Sequence, residues 1–146
     1  MAKPKIKPNQ KQSIIAQTIA RKKSITELID NGFFKISLEH FDREQGQTFE
    51  QWQSIGMLSE ALNTLWNYCC KPIVNQYSDK FTVYGDFPPS NKTDFFHPKQ
   101  VPEDAKWARI HVNGLHCLIG HVIYDTFYLV FLDQEHKFWK SVLKNT

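Results

Sequence analysis

Cysteine is scarce in this chain: three residues in 146, two of them adjacent, Cys69 and Cys70. That excludes a disulfide framework and the paired Cys-x-x-Cys of a structural zinc site, and points to reduced thiols in a cytoplasmic setting. Long apolar runs are missing as well. The longest, Phe127 to Leu132, falls far short of the roughly 18 to 20 residues that span a bilayer. Residues 1–23 contain no signal-peptide h-region, so the expectation is a soluble cytoplasmic protein with no membrane partner. The six glycines form neither a phosphate loop nor a dinucleotide motif, and there is no internal repeat.

Acid is absent from the first 26 residues. Lys3, Lys5, Lys7, Lys11, Arg21, Lys22 and Lys23 give +7 before Glu27, whereas the rest of the chain has eleven cations against fifteen acids, a net −4. A basic arm on a mildly acidic body suits a polyanion such as RNA or DNA, whose phosphates exert a salt-dependent attraction. The plainer alternative is a solubilising tail.

What the chain does have is aromatic and aliphatic mass: 41% hydrophobic residues, including 11 Phe, 5 Tyr and 4 Trp. That is globular composition. Residues 1–12 mix Lys, Pro, Asn and Gln with little to bury and are expected to be a flexible basic arm; 13–146 suit one domain. Ile14, Ile15, Thr18 and Ile19 recur at helical spacing from Ser13, with Arg21 to Lys23 at the C-terminal end. Ser24 to Glu27 has the form of a capping box, followed by a short helix over 25–31 that Gly32 would stop.

Phe33 to Phe41 alternates Phe34, Ile36 and Leu38 against Lys35, Ser37 and Glu39, which is a strand pattern. Thr48 to Gln51 is a second capping box. It opens the longest periodic segment, a helix over 49–69 with Phe49, Trp52, Ile55, Leu58, Leu62, Leu65 and Cys69 on one stripe, widened by Met57, Ala61 and Trp66 for core packing. Lys71 to Asp104 holds five of the seven prolines and is loop-rich, with one strand over 80–85 and aromatics that favour packing over the core. Asn113-Gly114 and Tyr124-Asp125 then punctuate an antiparallel meander of strands 107–112, 115–123 and 126–132. The fold class is α+β: a small antiparallel sheet with a C-terminal three-stranded meander packed against N-terminal and central helices.

With Asn113 and Gly114 as a two-residue loop, Val112 faces Leu115, His111 faces His116 and Ile110 faces Cys117. Ala108, Ile110, Val112, Leu115, Cys117 and Ile119 would then lie under the long helix, and Trp107, Arg109, His111 and His116 on the opposite face. The Tyr124-Asp125 loop sets His116 opposite Asp133, with His136 just beyond. The candidate catalytic cluster is therefore Arg109, His111, His116, Asp133 and His136. Its histidines could exchange protons near neutral pH, Asp133 could orient one of them, and Arg109 could hold a phosphate or stabilise an oxyanion. The bland alternative is a set of ordinary solvent-facing strand residues with an Asp133–His136 turn contact. A metal is the third alternative, but the spacing matches no strong ligand motif, so no metal and no cofactor is expected. His121, opposite Tyr128 on the helix-facing side, suits a hydrogen-bonded core histidine. His40 and His97, at a strand end and in a loop, fit either the cluster or a bland role.

The segment Trp107 to Trp139, WARIHVNGLHCLIGHVIYDTFYLVFLDQEHKFW, resembles the closing pattern of RelE/HigB-like ribonuclease toxins of bacterial toxin–antitoxin pairs. The likeness is an Arg-bearing strand and a hairpin followed by a polar and aromatic tail. The resemblance implies mRNA cleavage through the ribose 2′-OH without a metal, usually on the ribosome, with an antitoxin as protein partner. It matches Arg109 to the phosphate-holding position, His116 or His136 to the acid/base group, and Phe138 or Trp139 to an aromatic on which a base stacks. RNA binding would then involve Lys3, Lys5, Lys7, Lys11, Arg21, Lys22, Lys23 and Trp139. The alternative function is a non-catalytic protein- or nucleic-acid-binding module of a mobile-element or phage-defence system. Its candidate anchors are Trp139, Phe138 and the Phe95–Phe96 pair.

Overall fold

The computed structural model describes residues 13–18 and 32–141. The expected helix over 25–31, the seven N-terminal cations and the end of the first helix, from Ile19 on, lie outside the described residues. Residues 13–18 are helical and exposed. The elements that follow are β1 (Lys35–Ser37), α1 (Phe49–Ser54), α2 (Met57–Tyr68), a 3₁₀ turn (Ile73–Asn75), β2 (Phe81–Gly85), β3 (Trp107–Asn113), β4 (His116–Ile123) and β5 (Thr126–Asp133). Among the described residues no helix is long and apolar enough to cross a membrane.

The architecture is α+β, with one five-stranded sheet in the order β1-β5-β4-β3-β2. It is mixed, not wholly antiparallel, because β1 joins the edge of the meander parallel to β5, with Ile36 beside Phe127. The strand expected over 33–41 is correspondingly short. Phe34 and Ile36 turn inward as the alternation requires, whereas Leu38 lies past the last pairing and is exposed.

The single helix expected over 49–69 is two helices. Thr48 caps α1 through the anticipated box: Gln51 N donates to Thr48 Oγ1 (3.1 Å) and Thr48 N donates to Gln51 Oε1 (2.8 Å). Gly56 then takes φ +74, a left-handed conformation open to glycine at little cost, and breaks the run. The break resets the helical phase. Trp52 from α1 and Met57, Ala61 and Leu65 from α2 are buried, while Ile55, Leu62 and Trp66 of the expected stripe face out.

Both faces of the sheet are covered, in different ways. The helices pack on Phe81, Ala108, Ile110, Leu118, Phe127, Leu129 and Leu132. On the opposite face the proline-rich segment and the chain after β5 bury Val101, Ala105 and Phe138 against Trp107, Cys117, Ile119 and Phe131. This second layer has no regular secondary structure. Its aromatics cohere by stacking, for example Trp107 on Phe131 at 5.8 Å and 10°, which adds to the area they bury.

Candidate functional site on the non-helical face

The hairpin register decides which polar side chains meet. Asn113 pairs with His116 and His111 with Cys117, with a bulge at Val112, so the turn is Gly114-Leu115 and not Asn113-Gly114. One residue of slip reverses every side chain of a strand. Cys117 and Ile119 therefore leave the helical face for the opposite one, and His116 goes the other way. It lies edge-on to Trp52 under α1 (5.3 Å) and pairs with Asn113 O, so it takes no part in the cluster expected for it. Leu115 is an exposed turn residue.

The second loop is Tyr124-Asp125, with Ile123 opposite Thr126, as expected. A further bulge between Ile119 and Gly120 shifts the pairing, so Asp133 stands opposite Cys117 in place of His116. His121 does face Tyr128. It lies on the face away from the helices, beside Trp107, because it alternates in phase with Cys117 and Ile119 and the slip at Val112 turns all three.

Of the five candidate residues the structure joins two directly. Arg109 Nη1 donates to His136 Nε2 at 3.1 Å. Arg109 Nη2 donates to Asp79 O (2.9 Å) and Thr82 Oγ1 (3.2 Å), which ties the guanidinium to β2. Three of its five donors are thus spoken for, and Nε is enclosed without a partner. The Tyr84 ring lies 5.7 Å below the guanidinium carbon, and Trp139 stacks on Tyr84 at 4.8 Å and 15°. Tyr84 was not among the sequence candidates. Its signal was its place two residues beyond Thr82 on a strand whose partner was not evident.

Asp133 is buried and acts as a bracket. Oδ1 accepts from Lys137 N (3.0 Å) and Oδ2 from Phe138 N (2.8 Å). It thereby fixes the turn that presents His136, itself at the left-handed φ +60, a conformation that costs a non-glycine residue of order 1 kcal/mol or more. His111 lies on the same face at the hairpin tip, paired with Gly114 O. Phe138 is fully buried in the core and offers no surface for a base, and Phe95 is half-buried against Phe131. Trp139 is partly exposed, and Phe96 is 80% exposed.

Burial sets the electrostatics around the pair. It raises the Tyr84 hydroxyl above its ordinary pKa, partly offset by Arg109. It pushes the Cys117 thiol up to about 12, which leaves no reactive thiolate at neutral pH. Deeper on the same face, His121 is fully buried; His40 Nδ1 and His121 Nε2 are 2.9 Å apart and both rings stack on Tyr128. Burial first, then the charges of His40 and His97, hold His121 down at about 4. Buried His121 and half-buried His40 contact each other and Tyr128, and neither is among the hydrogen-bond partners of Arg109. Among the described residues no three His, Cys, Asp or Glu side chains are grouped so as to hold a metal ion.

Comparison with known proteins found no matching family model, no matching curated protein and no matching solved structure.

Proposed function

We infer that this chain acts on RNA, as a metal-free endoribonuclease of the toxin–antitoxin kind, through Arg109 and His136. The observation that carries the reading is the 3.1 Å contact between Arg109 Nη1 and His136 Nε2 beside the Tyr84–Trp139 stack. Cleavage through the 2′-OH needs a proton acceptor on the ribose and a cation on the phosphate. Because guanidinium only donates, His136 Nε2 is held as an acceptor. A phosphate that draws Nη1 to itself frees that nitrogen for the 2′-OH proton. The 2′-oxygen then bonds to phosphorus, the P–O5′ bond breaks and the leaving 5′-oxygen takes a proton from water, giving a 2′,3′-cyclic phosphate. The exposed part of Trp139 offers a face to a base.

Ten Lys and Arg against thirteen Asp and Glu over residues 32–141 make the body a poor polyanion binder alone, so the seven N-terminal cations supply the attraction. An antitoxin is the protein partner on this reading, and the ribosome the setting. A second reading, a nucleic-acid-binding module without catalysis, is favoured by one observation: a single imidazole reaches the guanidinium, since His116 lies on the other face.

The test compares wild type with His136→Asn on a single-stranded oligoribonucleotide and on its 2′-deoxy counterpart, with chelator present. Asn tolerates a left-handed φ, so the turn survives while the imidazole is lost. The expected result is cleavage of the ribose strand only, reduced about 100-fold or more in the variant. Equal cleavage by both proteins refutes the site. Binding without cleavage selects the second reading.

A further inference from the structure

The buried histidine of the non-helical face has a nitrogen to spare. His121 is fully buried, and its Nε2 is engaged by His40 Nδ1 at 2.9 Å. Its Nδ1 is enclosed as well, and among the described residues it has no hydrogen-bond partner. A buried polar atom without a partner forfeits the hydrogen bonds it makes in water, so native cores keep few of them. With its pKa held at about 4, the ring is uncharged at neutral pH, and Nδ1 is a neutral donor or acceptor.

The same residue lines a recess of about 370 Å³ between the end of β4, the β4–β5 turn and the residues that lead into β3. Pro102, Ala105, Val122 and Ile123 supply apolar walls, and Tyr124, at the turn, is 67% exposed. Val122 N donates to Lys106 O (3.0 Å), which ties one wall to the other. Asp104 and Lys106 are both exposed and contribute one charge of each sign, so the lining has no net charge and favours neither an anion nor a cation. Neither Arg109 nor His136 lines this recess. Mostly apolar walls around a polar group that fixes orientation are the ordinary form of a small-molecule site, for which the volume is also adequate.

We propose that this recess binds a small uncharged molecule with an apolar, ring-sized body and a hydroxyl group, and that His121 Nδ1 is the hydrogen-bond partner of that hydroxyl. The site is separate from the Arg109–His136 pair and does not depend on its function. A hydroxyl suits Nδ1 whichever ring of the His40–His121 contact carries the shared proton. If His40 donates, His121 keeps its proton on Nδ1 and the hydroxyl accepts; if His121 donates through Nε2, Nδ1 holds a lone pair and the hydroxyl donates. A carbonyl or ether oxygen fits only the first of these states. The apolar body rests on Pro102, Val122 and Ile123, and Tyr124 offers its ring at the mouth.

Para-cresol and toluene differ by one hydroxyl and serve as the probes. Each is titrated into the isotope-labelled full chain, wild type beside His121→Phe, and the amide resonances are followed by NMR. The variant keeps a ring to stack on Tyr128, and its spectrum reports whether the fold persists; the comparison of the two probes in wild type stands without it. The expected result is that both probes shift the amides of Ala105, Val122 and Ile123, that para-cresol binds wild type about tenfold more tightly than toluene, and that this preference disappears in the variant. Equal affinity for the two probes in wild type overturns the proposal, as does a preference that survives in His121→Phe. Shifts confined to residues outside the recess, or no shifts at all, overturn it too.

Discussion

Acid should destabilise this protein through one histidine. His121 is fully buried against Trp107 and Tyr128, and its folded pKa is held at about 4 by burial, with His40 and His97 adding their charge. In the unfolded chain it titrates near 6.5. Between these values the unfolded state binds a proton that the folded state refuses, so stability is full above pH 6.5 and falls as the pH drops toward 4. At about 1.4 kcal/mol per pH unit the whole interval amounts to about 3 kcal/mol, of which about 2 kcal/mol is lost between pH 7 and pH 5. Urea denaturation at pH 7 and pH 5, for wild type and His121→Phe, isolates this contribution. The variant keeps a ring to stack on Tyr128 and cannot titrate, so its stability should fall by about 2 kcal/mol less than that of wild type over the same interval. Equal pH dependence in the two proteins would refute the reasoning.

Two further outcomes follow from packing. A Cβ on Gly120 would lie 2.0 Å from Tyr128 O and 2.8 Å from the Phe127 ring, at the bulge that sets the β4–β5 register; Gly120→Ala should therefore cost about 3 kcal/mol or more, visible as a lowered urea midpoint. Native alkylation followed by mass spectrometry should label exposed Cys70 first and leave Cys117 unlabelled until the chain unfolds, because Cys117 is buried and its thiol is held at about 12; prompt labelling of Cys117 in the native protein contradicts that burial.

Much of the fold was legible because it follows local chemistry. The Thr48–Gln51 capping box, the Tyr124-Asp125 turn, the pairing of His121 with Tyr128 and the three-stranded meander all follow from spacing within a few residues. Gly56 was equally visible, but the apolar stripe through Ile55 and Leu62 outweighed it, and only the left-handed φ of +74 decides for a break. The parallel pairing of β1 with β5 joins residues some 90 positions apart, a contact that no local pattern specifies. The layer over the non-helical face has the same character. Phe87, Phe95 and Val101 are placed by what they bury, not by a period.

The site was legible only up to a bulge. Counting outward from Asn113-Gly114 is sound where strands pair without interruption, and Arg109 and His111 fall on the face so expected. The bulge at Val112 adds one residue on one side of the ladder, and from there β4 presents the opposite set: Cys117 and Ile119 toward the proline-rich layer, His116 toward Trp52. The second bulge, at Ile119 and Gly120, is tied to a packing need, since any side chain at Gly120 would strike the Tyr128 carbonyl. Arg109 and His136 meet despite both slips, because their meeting depends on the turn after β5. Asp133 holds that turn by accepting from Lys137 N and Phe138 N, while buried Phe138 anchors it in the core. A carboxylate that reads as a catalytic partner thus acts as a backbone bracket, and the distinction lies in two hydrogen bonds to residues four and five positions on, a spacing that resembles no catalytic motif.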